Sequence, residues 1–294
     1  MSLETVSSNK AFGGYITKHK FTSKALGGLS AQFNVFVPES KSEGTRFPVL
    51  WYLAGLTCNE DTGPWKGGFL RDAAEAGIAL IFPDTSPRGA GVPGEDDDWD
   101  FGTGAGFYLD ATADKWAKHY RMHTYISQEL PEILKSASHI PLDLTRMSIM
   151  GHSMGGYGAL MFYLRHPNLF RSASAFAPIS NPVEAPWGKK AFGGYLSGGA
   201  DEGKAYDPTH LVSALDGKQD VLSGVKILID YGNADNFYVQ RQLLPENLEA
   251  AAKKVGLPVS QVTVRRQEGY DHSYYFISTF APEHIRWHAK FLHE

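Results

Sequence analysis

The sequence predicts an α/β fold: a mainly parallel, twisted sheet with helices on both faces. Three observations point there. Short apolar runs alternate with stretches of helical periodicity through most of the chain, the pattern of strands joined by crossover helices. Several runs are almost continuously apolar, which suits strands buried on both faces of a parallel sheet. One of them, Met147-Ser148-Ile149-Met150, breaks directly into Gly-x-Ser-x-Gly and then into a helix-compatible segment.

In chain order, residues 15–29 read as antiparallel edge strands. Residues 33–37, 49–53 and 78–82 read as strands, with a helix over 67–76 before the third. A helix over 123–138 leads to the strand 147–150, the helix 154–165 and the strand 174–177. The strand 225–230, a helix over 240–255, the strand 261–265 and a helix over 282–293 complete the series. In that last helix Ile285, Ala289 and Leu292 recur at helical spacing with charges between them, so His284, His288 and His293 read as surface positions. No linker rich in Pro, Gly and Ser divides the 294 residues, and a single domain over 1–294 is expected.

Two long loops stand out. One, 84–106, is rich in glycine and carries the acidic run 95–98, which reads as solvated. The other, 179–208, holds Trp187. Loops of this length in a compact domain are commonly functional. The hexapeptide Lys-Ala-Phe-Gly-Gly-Tyr occurs at 10–15 and again at 190–195, without the surrounding similarity of a repeat architecture.

Composition excludes several classes. A net charge of −4 with no Lys/Arg-rich run gives no electrostatic footprint for nucleic acid. No apolar run approaches the roughly 18 residues of a membrane span. The single cysteine, Cys58, rules out an intramolecular disulfide and a cysteine-only metal cage. That usage fits a reducing compartment, and the first residues lack the basic start and apolar core of a signal peptide, so a cytoplasmic protein is expected. No metal is expected either: His-Glu-x-x-His is absent, and the i, i+4 pair His284/His288 lacks a third ligand.

Gly151-His152-Ser153-Met154-Gly155 has the spacing of a nucleophile elbow, where a strand stops, the chain turns sharply and a helix begins. Glycine flanks the turn because a Cβ there would clash. A serine hydroxyl needs a base within hydrogen-bond reach. In the α/β-hydrolase arrangement the partners follow in the order Ser, Asp or Glu, His. His272 lies in a loop directly after the strand 261–265, at the edge where ligands meet an open parallel sheet, and is the candidate base. For the orienting acid, Asp235 in the loop after 225–230 is preferred over Asp230, which belongs to the strand. The backbone N–H of Met154 is one candidate oxyanion donor; the second is that of Leu56, after the strand 49–53, with Thr57 as the alternative. Trp187 is a candidate wall of the acyl pocket. Cys58 is either a small buried apolar residue or part of the site's lining.

These residues resemble the S-formylglutathione hydrolase (esterase D) family. The resemblance is carried by A-G-L-T-C-N at 54–59, D-D-W-D-F-G at 97–102, G-F-Y-L-D at 106–110 and G-H-S-M-G-G-Y-G-A at 151–159. It continues through A-P-W-G at 185–188, Q-L-L-P at 242–245 and Q-E-G-Y-D-H-S-Y-Y-F at 267–276. It implies an α/β-hydrolase fold, a triad of Ser153, Asp235 and His272, and hydrolysis of S-formylglutathione to glutathione and formate, the step after formaldehyde is captured by glutathione. It also implies a cytosolic homodimer without a cofactor. A general carboxylesterase or acyltransferase of the same fold would share the catalytic residues. A catalytically silent binding protein of this fold is argued against by the intact Ser153, Asp235 and His272.

Overall fold

The computed structural model describes residues 2–40 and 42–294. Among them, nine strands form one sheet in the order β1-β2-β3-β5-β4-β6-β7-β8-β9. The first three, β1 (Glu4–Ala11), β2 (Gly14–Thr22) and β3 (Ser30–Pro38), run antiparallel, and β3 joins β5 (Ala79–Pro83) in the same sense. From β5 onward all pairings are parallel, through β4 (Phe47–Leu53), β6 (Leu142–His152), β7 (Ala173–Phe176), β8 (Ile227–Gly232) and β9 (Val262–Gln267). Every residue of β4 and β5 is buried, as expected of central parallel strands. Six helices matter below: α1 (Leu70–Ala76), α2 (Leu130–Ser136), α3 (Met154–Arg165), α4 (Pro186–Tyr195), α5 (Pro245–Lys254) and α6 (Tyr274–Leu292). Helix α3 packs on β6 and β7, and α6 on β4, β6 and β7, with helices covering both faces. No helix among the described residues is long and apolar enough to cross a membrane.

Several sequence-based expectations are corrected. The N-terminal edge begins at β1, a strand with little apolar content, and residues 23–29 form the turn before β3. The helix expected over 123–138 contains a π-helical stretch, Tyr125–Glu129, before α2. There the buried Glu129 accepts the Lys24 N–H at 2.6 Å and a hydroxyl from Ser23. The helix expected over 240–255 starts only at Pro245, because Arg241 and Leu244 take φ of +58° and +48°. The loop 179–208 contains α4 and a second short helix, Gly199–Gly203. Within the acidic run, Glu95 is buried and accepts the Tyr120 hydroxyl (2.9 Å) and the Gly91 N–H (2.7 Å), so it is structural rather than solvated.

The largest correction concerns His284 and His288. They are fully buried, on the same stripe of α6 as Ile277, Ala281, Ile285 and Leu292. Buried imidazoles are tolerated where each nitrogen has a partner, and here each does. His284 Nε2 lies 2.8 Å from the Asp230 carboxylate, so it must carry the proton. Its Nδ1 therefore accepts from Ser174 Oγ at 2.8 Å, and Ser174 Oγ accepts from His288 Nε2, again at 2.8 Å. His288 Nδ1 then accepts from Ser172, and Ser172 from Ser148 (2.8 Å each). With both histidines neutral, every proton points toward Asp230. That carboxylate also receives the Arg265 fork (2.8 and 2.5 Å) and Gln267 (2.9 Å). Burial alone would raise its pKa, but the bonds from His284 and Arg265 bring it down to about 2. For both histidines burial pushes the pKa below the ordinary 6.5.

Below pH 6.5 the unfolded chain binds protons that the folded network refuses, so this stability is present above that pH and is lost as pH falls. Each histidine that stays neutral contributes a slope of about 1.4 kcal/mol per pH unit. Urea unfolding free energies at pH 7.5 and 5.5 are expected to show this fall, and His288→Asn to show a shallower one. An unchanged slope in that variant would reject the assignment.

Candidate active site

Strand β6 ends at His152, and Ser153 takes φ +57° and ψ −118° before α3 begins at Met154. A side chain in that region is strained, and surrounding structure must hold it there. The Ser153 N–H donates to Phe176 O (2.9 Å) at the end of β7, and its own carbonyl accepts from Tyr157 N–H (2.9 Å) and Ile179 N–H (3.3 Å). The flanking glycines let backbone meet backbone: a Cβ on Gly155 would stand 2.0 Å from Leu53 O, and one on Gly151 would stand 2.1 Å from Gly155 O. Ser153 is almost wholly buried and lines a cavity of about 190 Å³.

His272 lines the same cavity. Its Nδ1 is 2.5 Å from Asp235 Oδ2. Asp235 is fully buried, and its other oxygen caps the short helix Asn236–Val239 by accepting the N–H groups of Phe237 (2.8 Å) and Tyr238 (3.4 Å). One carboxylate oxygen is thus anchored by backbone and the other holds the imidazole. Asp230 is engaged in the interior network instead. No direct hydrogen bond joins Ser153 Oγ to His272 among the described residues, and in resting hydrolases this contact often tightens only with substrate in place.

Opposite the elbow, residues 55–58 form a tight turn closed by Cys58 N–H to Gly55 O at 3.3 Å. Thr57 has φ +67° and donates its N–H to Gly104 O (2.9 Å), so that amide is already engaged. The Leu56 N–H has no backbone acceptor among the described residues. The Met154 N–H, at the first position of α3, is one of the unpaired donors of a helix N-terminus. Both Leu56 and Ser153 border the cavity.

Trp187 is nearly buried and lines the cavity with Trp99 and Phe237. Trp187 packs on Phe237 with ring centroids 4.6 Å apart and meets Trp99 edge-on at 5.8 Å. Phe237 in turn stands edge-on to His272 at 4.8 Å. Cys58 is half-buried and lines the cavity; its Sγ is 3.9 Å from Tyr274 Oη, which bonds Tyr52 Oη at 3.1 Å.

Three lining residues escaped the sequence reading: Trp99, Phe237 and His152. Trp99 is on the long loop already marked as unusual, and Phe237 is two residues from the chosen acid, so position alone could have suggested both. The His152 ring lies 4.5 Å from that of His272. Neither of its nitrogens has a hydrogen-bond partner among the described residues, the His272 carbonyl being nearby but out of bonding geometry. Burial, with the neighbouring imidazole, pushes its pKa well below 6.5, so it stays neutral beside His272.

A family model described as Esterase matches residues 23–287. The chain is 49% identical over 292 residues to the S-formylglutathione hydrolase of Mus musculus, covering 99% of each chain. The chain belongs to the S-formylglutathione hydrolase family. It is also 48% identical over 290 residues to the S-formylglutathione hydrolase of Arabidopsis thaliana, covering 99% of this chain and 98% of that one. A solved structure of an S-formylglutathione hydrolase from Agrobacterium tumefaciens matches with a TM-score of 0.89 at 42% identity, covering 98% of this chain and 99% of that one. The S-formylglutathione hydrolase family has the α/β-hydrolase fold, and the mixed nine-strand sheet described above is that fold with an antiparallel N-terminal extension.

The backbone at Ser153 generates a stability prediction. Relieving the left-handed strain with glycine is expected to make Ser153→Gly about 1 kcal/mol more stable than Ser153→Ala in urea unfolding. Equal stabilities, or alanine the more stable, would show that the turn is not strained.

Proposed function

We propose that this chain is a serine thioesterase that hydrolyses S-formylglutathione to glutathione and formate through an acyl-enzyme. The observation that carries the proposal is the His272–Asp235 pair at 2.5 Å, opening on the cavity that the strained Ser153 also lines. The family membership points to the same substrate.

His272 takes the proton from Ser153 Oγ as the oxygen attacks the formyl carbon. Asp235 holds the imidazole with Nδ1–H toward itself and stabilises the imidazolium without accepting the proton. The tetrahedral oxyanion is received by the N–H groups of Leu56 and Met154, and losing one such donor costs about 3 kcal/mol of transition-state stabilisation. The C–S bond breaks and His272 delivers its proton to the departing sulfur, whose thiol pKa of about 8.5 makes it a far better leaving group than an amine. Water enters, gives its proton to His272 and attacks the formyl-serine. Collapse releases formate and returns the proton to Ser153. No step calls for a metal or organic cofactor.

The packed aromatic rings of Trp187, Phe237 and Trp99 border the cavity that Ser153 lines, which favours a short acyl group over the long chains of a general carboxylesterase. Trp187, with Trp99 and Phe237, forms the wall that limits acyl length. We place the enzyme in a reducing compartment such as the cytoplasm, as a homodimer acting in formaldehyde detoxification.

Ser153→Ala is expected to abolish thioester and ester cleavage while the protein stays folded, read by thiol release and circular dichroism; retained turnover would end the proposal. The rank of kcat/KM is expected to be formyl over acetyl over longer glutathione thioesters. Because Cys58 lines the cavity without a place in the steps above, Cys58→Ser should stay active yet resist thiol-alkylating reagents that inhibit the parent. Equal sensitivity would remove Cys58 from the path of substrate.

A further inference from the structure

The geometry points to Arg88, held by Asp84, as the positioning residue that aims the Leu56 amide at the oxyanion; the assignment rests on the serine mechanism proposed above. Leu56 is the second residue of the turn at 55–58. A φ of +67° at its third residue, with Cys58 N–H closing on Gly55 O at 3.3 Å, marks a type II turn, whose third position normally takes glycine or asparagine. Here it holds Thr57, a β-branched residue for which this conformation is strained. The closing bond is long. Such a turn does not hold its own shape, and the amide proposed to receive the oxyanion belongs to it.

The shape is imposed from outside, through Cys58. Its carbonyl accepts two side-chain donors, Thr85 Oγ1 at 2.5 Å and an Arg88 terminal nitrogen at 2.9 Å. Its N–H meets Gly55 O. Gly55 O and Leu56 N–H belong to one trans peptide plane and point in opposite directions within it, so the pull that fixes Gly55 O also fixes the direction of the Leu56 N–H. On the far side, the Thr57 N–H is tied to Gly104 O, and the Gly104 N–H to Ser86 Oγ at 2.8 Å. Both restraints on the turn therefore lead to residues 84–88, the segment that follows β5.

Arg88 is itself placed by two bonds to Asp84, Nε to Oδ2 at 2.9 Å and a terminal nitrogen to Oδ1 at 2.7 Å. That second nitrogen is the one that reaches Cys58 O. The rigid guanidinium fork meets both carboxylate oxygens and the carbonyl in one fixed plane, an arrangement that a lysine ammonium, a compact charge on a flexible stem, does not hold. Asp84 is almost fully buried, and its oxygen also accepts the Thr85 N–H at 2.7 Å, so carboxylate, guanidinium and hydroxyl form one rigid unit behind the turn. None of these side chains lines the catalytic cavity; they act on the reaction only through the Cys58 carbonyl.

The test uses Arg88→Lys and Thr85→Val, the second removing the other donor to the same carbonyl without changing charge or shape. Active sites are counted by fluorophosphonate titration so that kcat refers to folded enzyme. In both variants kcat for 4-nitrophenyl acetate is expected to fall about tenfold, a fraction of the 10²–10³ lost when an oxyanion donor is removed outright, with KM moving less than about twofold. Inhibition by a trifluoromethyl ketone, which forms a tetrahedral oxyanion adduct, should weaken by the same factor as kcat/KM, whereas inhibition by S-methylglutathione should not change. A merely structural role would lower the number of titratable sites and leave kcat per site and the ketone unmoved; that result overturns the assignment. If Arg88→Lys does not fold, Thr85→Val decides alone. Failure of the serine reading looks different: wild-type enzyme that does not titrate with the fluorophosphonate.

Discussion

The parallel register of the central strands is the constraint on which the site depends. Leu53 pairs with Gly151, His152 with Phe176, Phe176 with Asp230, and Gly232 with Gln267. These pairs lie at or beside the carboxyl ends of β4, β6, β7, β8 and β9, so the segments that follow those strands leave the sheet along one line. The turn bearing Leu56, the elbow bearing Ser153, the loop bearing Asp235 and the loop bearing His272 are therefore neighbours in space although far apart in sequence. A slip of one residue in β6 would turn every side chain of that strand to the opposite face and bury the elbow on the wrong side. The register is secured by near-continuous apolar burial in β4 and β5 and by backbone contacts that admit no side chain, above all Gly155 against Leu53 O.

Helix α6 carries the second part of the constraint. It begins at Tyr274, two residues after His272, so its docking sets where the imidazole stands. An apolar stripe alone would let such a helix slide along the sheet; the hydrogen bonds that join His284 and His288 with Ser174, Ser172 and Asp230 permit one position. Buried polar contacts of this kind add modest net stability, but an unpaired member is costly, and that asymmetry penalises every alternative docking.

What the sequence disclosed divides along the same physics. The placement of Ser153, Asp235 and His272 just past the carboxyl ends of β6, β8 and β9 was legible, because strand ends are where an open parallel sheet places its chemistry. The inward face of α6 was misread because histidine was counted as a surface residue, when what decides its place is whether Ser148, Ser172, Ser174 and Asp230 lie across from it, and that is tertiary information. The Arg88 clamp joins residues 30 positions apart through a main-chain carbonyl, which leaves no side-chain pattern to read. Lys-Ala-Phe-Gly-Gly-Tyr makes the limit plain. At 10–15 its two glycines help turn the chain between β1 and β2, while at 190–195 the same six residues lie inside α4. Local propensity left both structures open, and the surroundings chose.

The two aspartate–histidine pairs differ in their surroundings, and that difference is why Asp235–His272 is the pair proposed as the catalytic one. Asp230–His284 and Asp235–His272 are both carboxylate–imidazole contacts with fully buried acids, at 2.8 and 2.5 Å. In the first, the Arg265 guanidinium offsets the carboxylate charge, and the second imidazole nitrogen is closed off by Ser174. A proton placed there has nowhere to go. In the second, backbone amides of the following turn hold the carboxylate without neutralising it, and the imidazole opens on the cavity that Ser153 lines. The acid can then stabilise a positive imidazole, and the open nitrogen can exchange a proton with whatever enters. The difference comes down to one imidazole nitrogen that faces the cavity, and the fold leaves it there by ending β9 before His272 instead of continuing the strand beneath a helix.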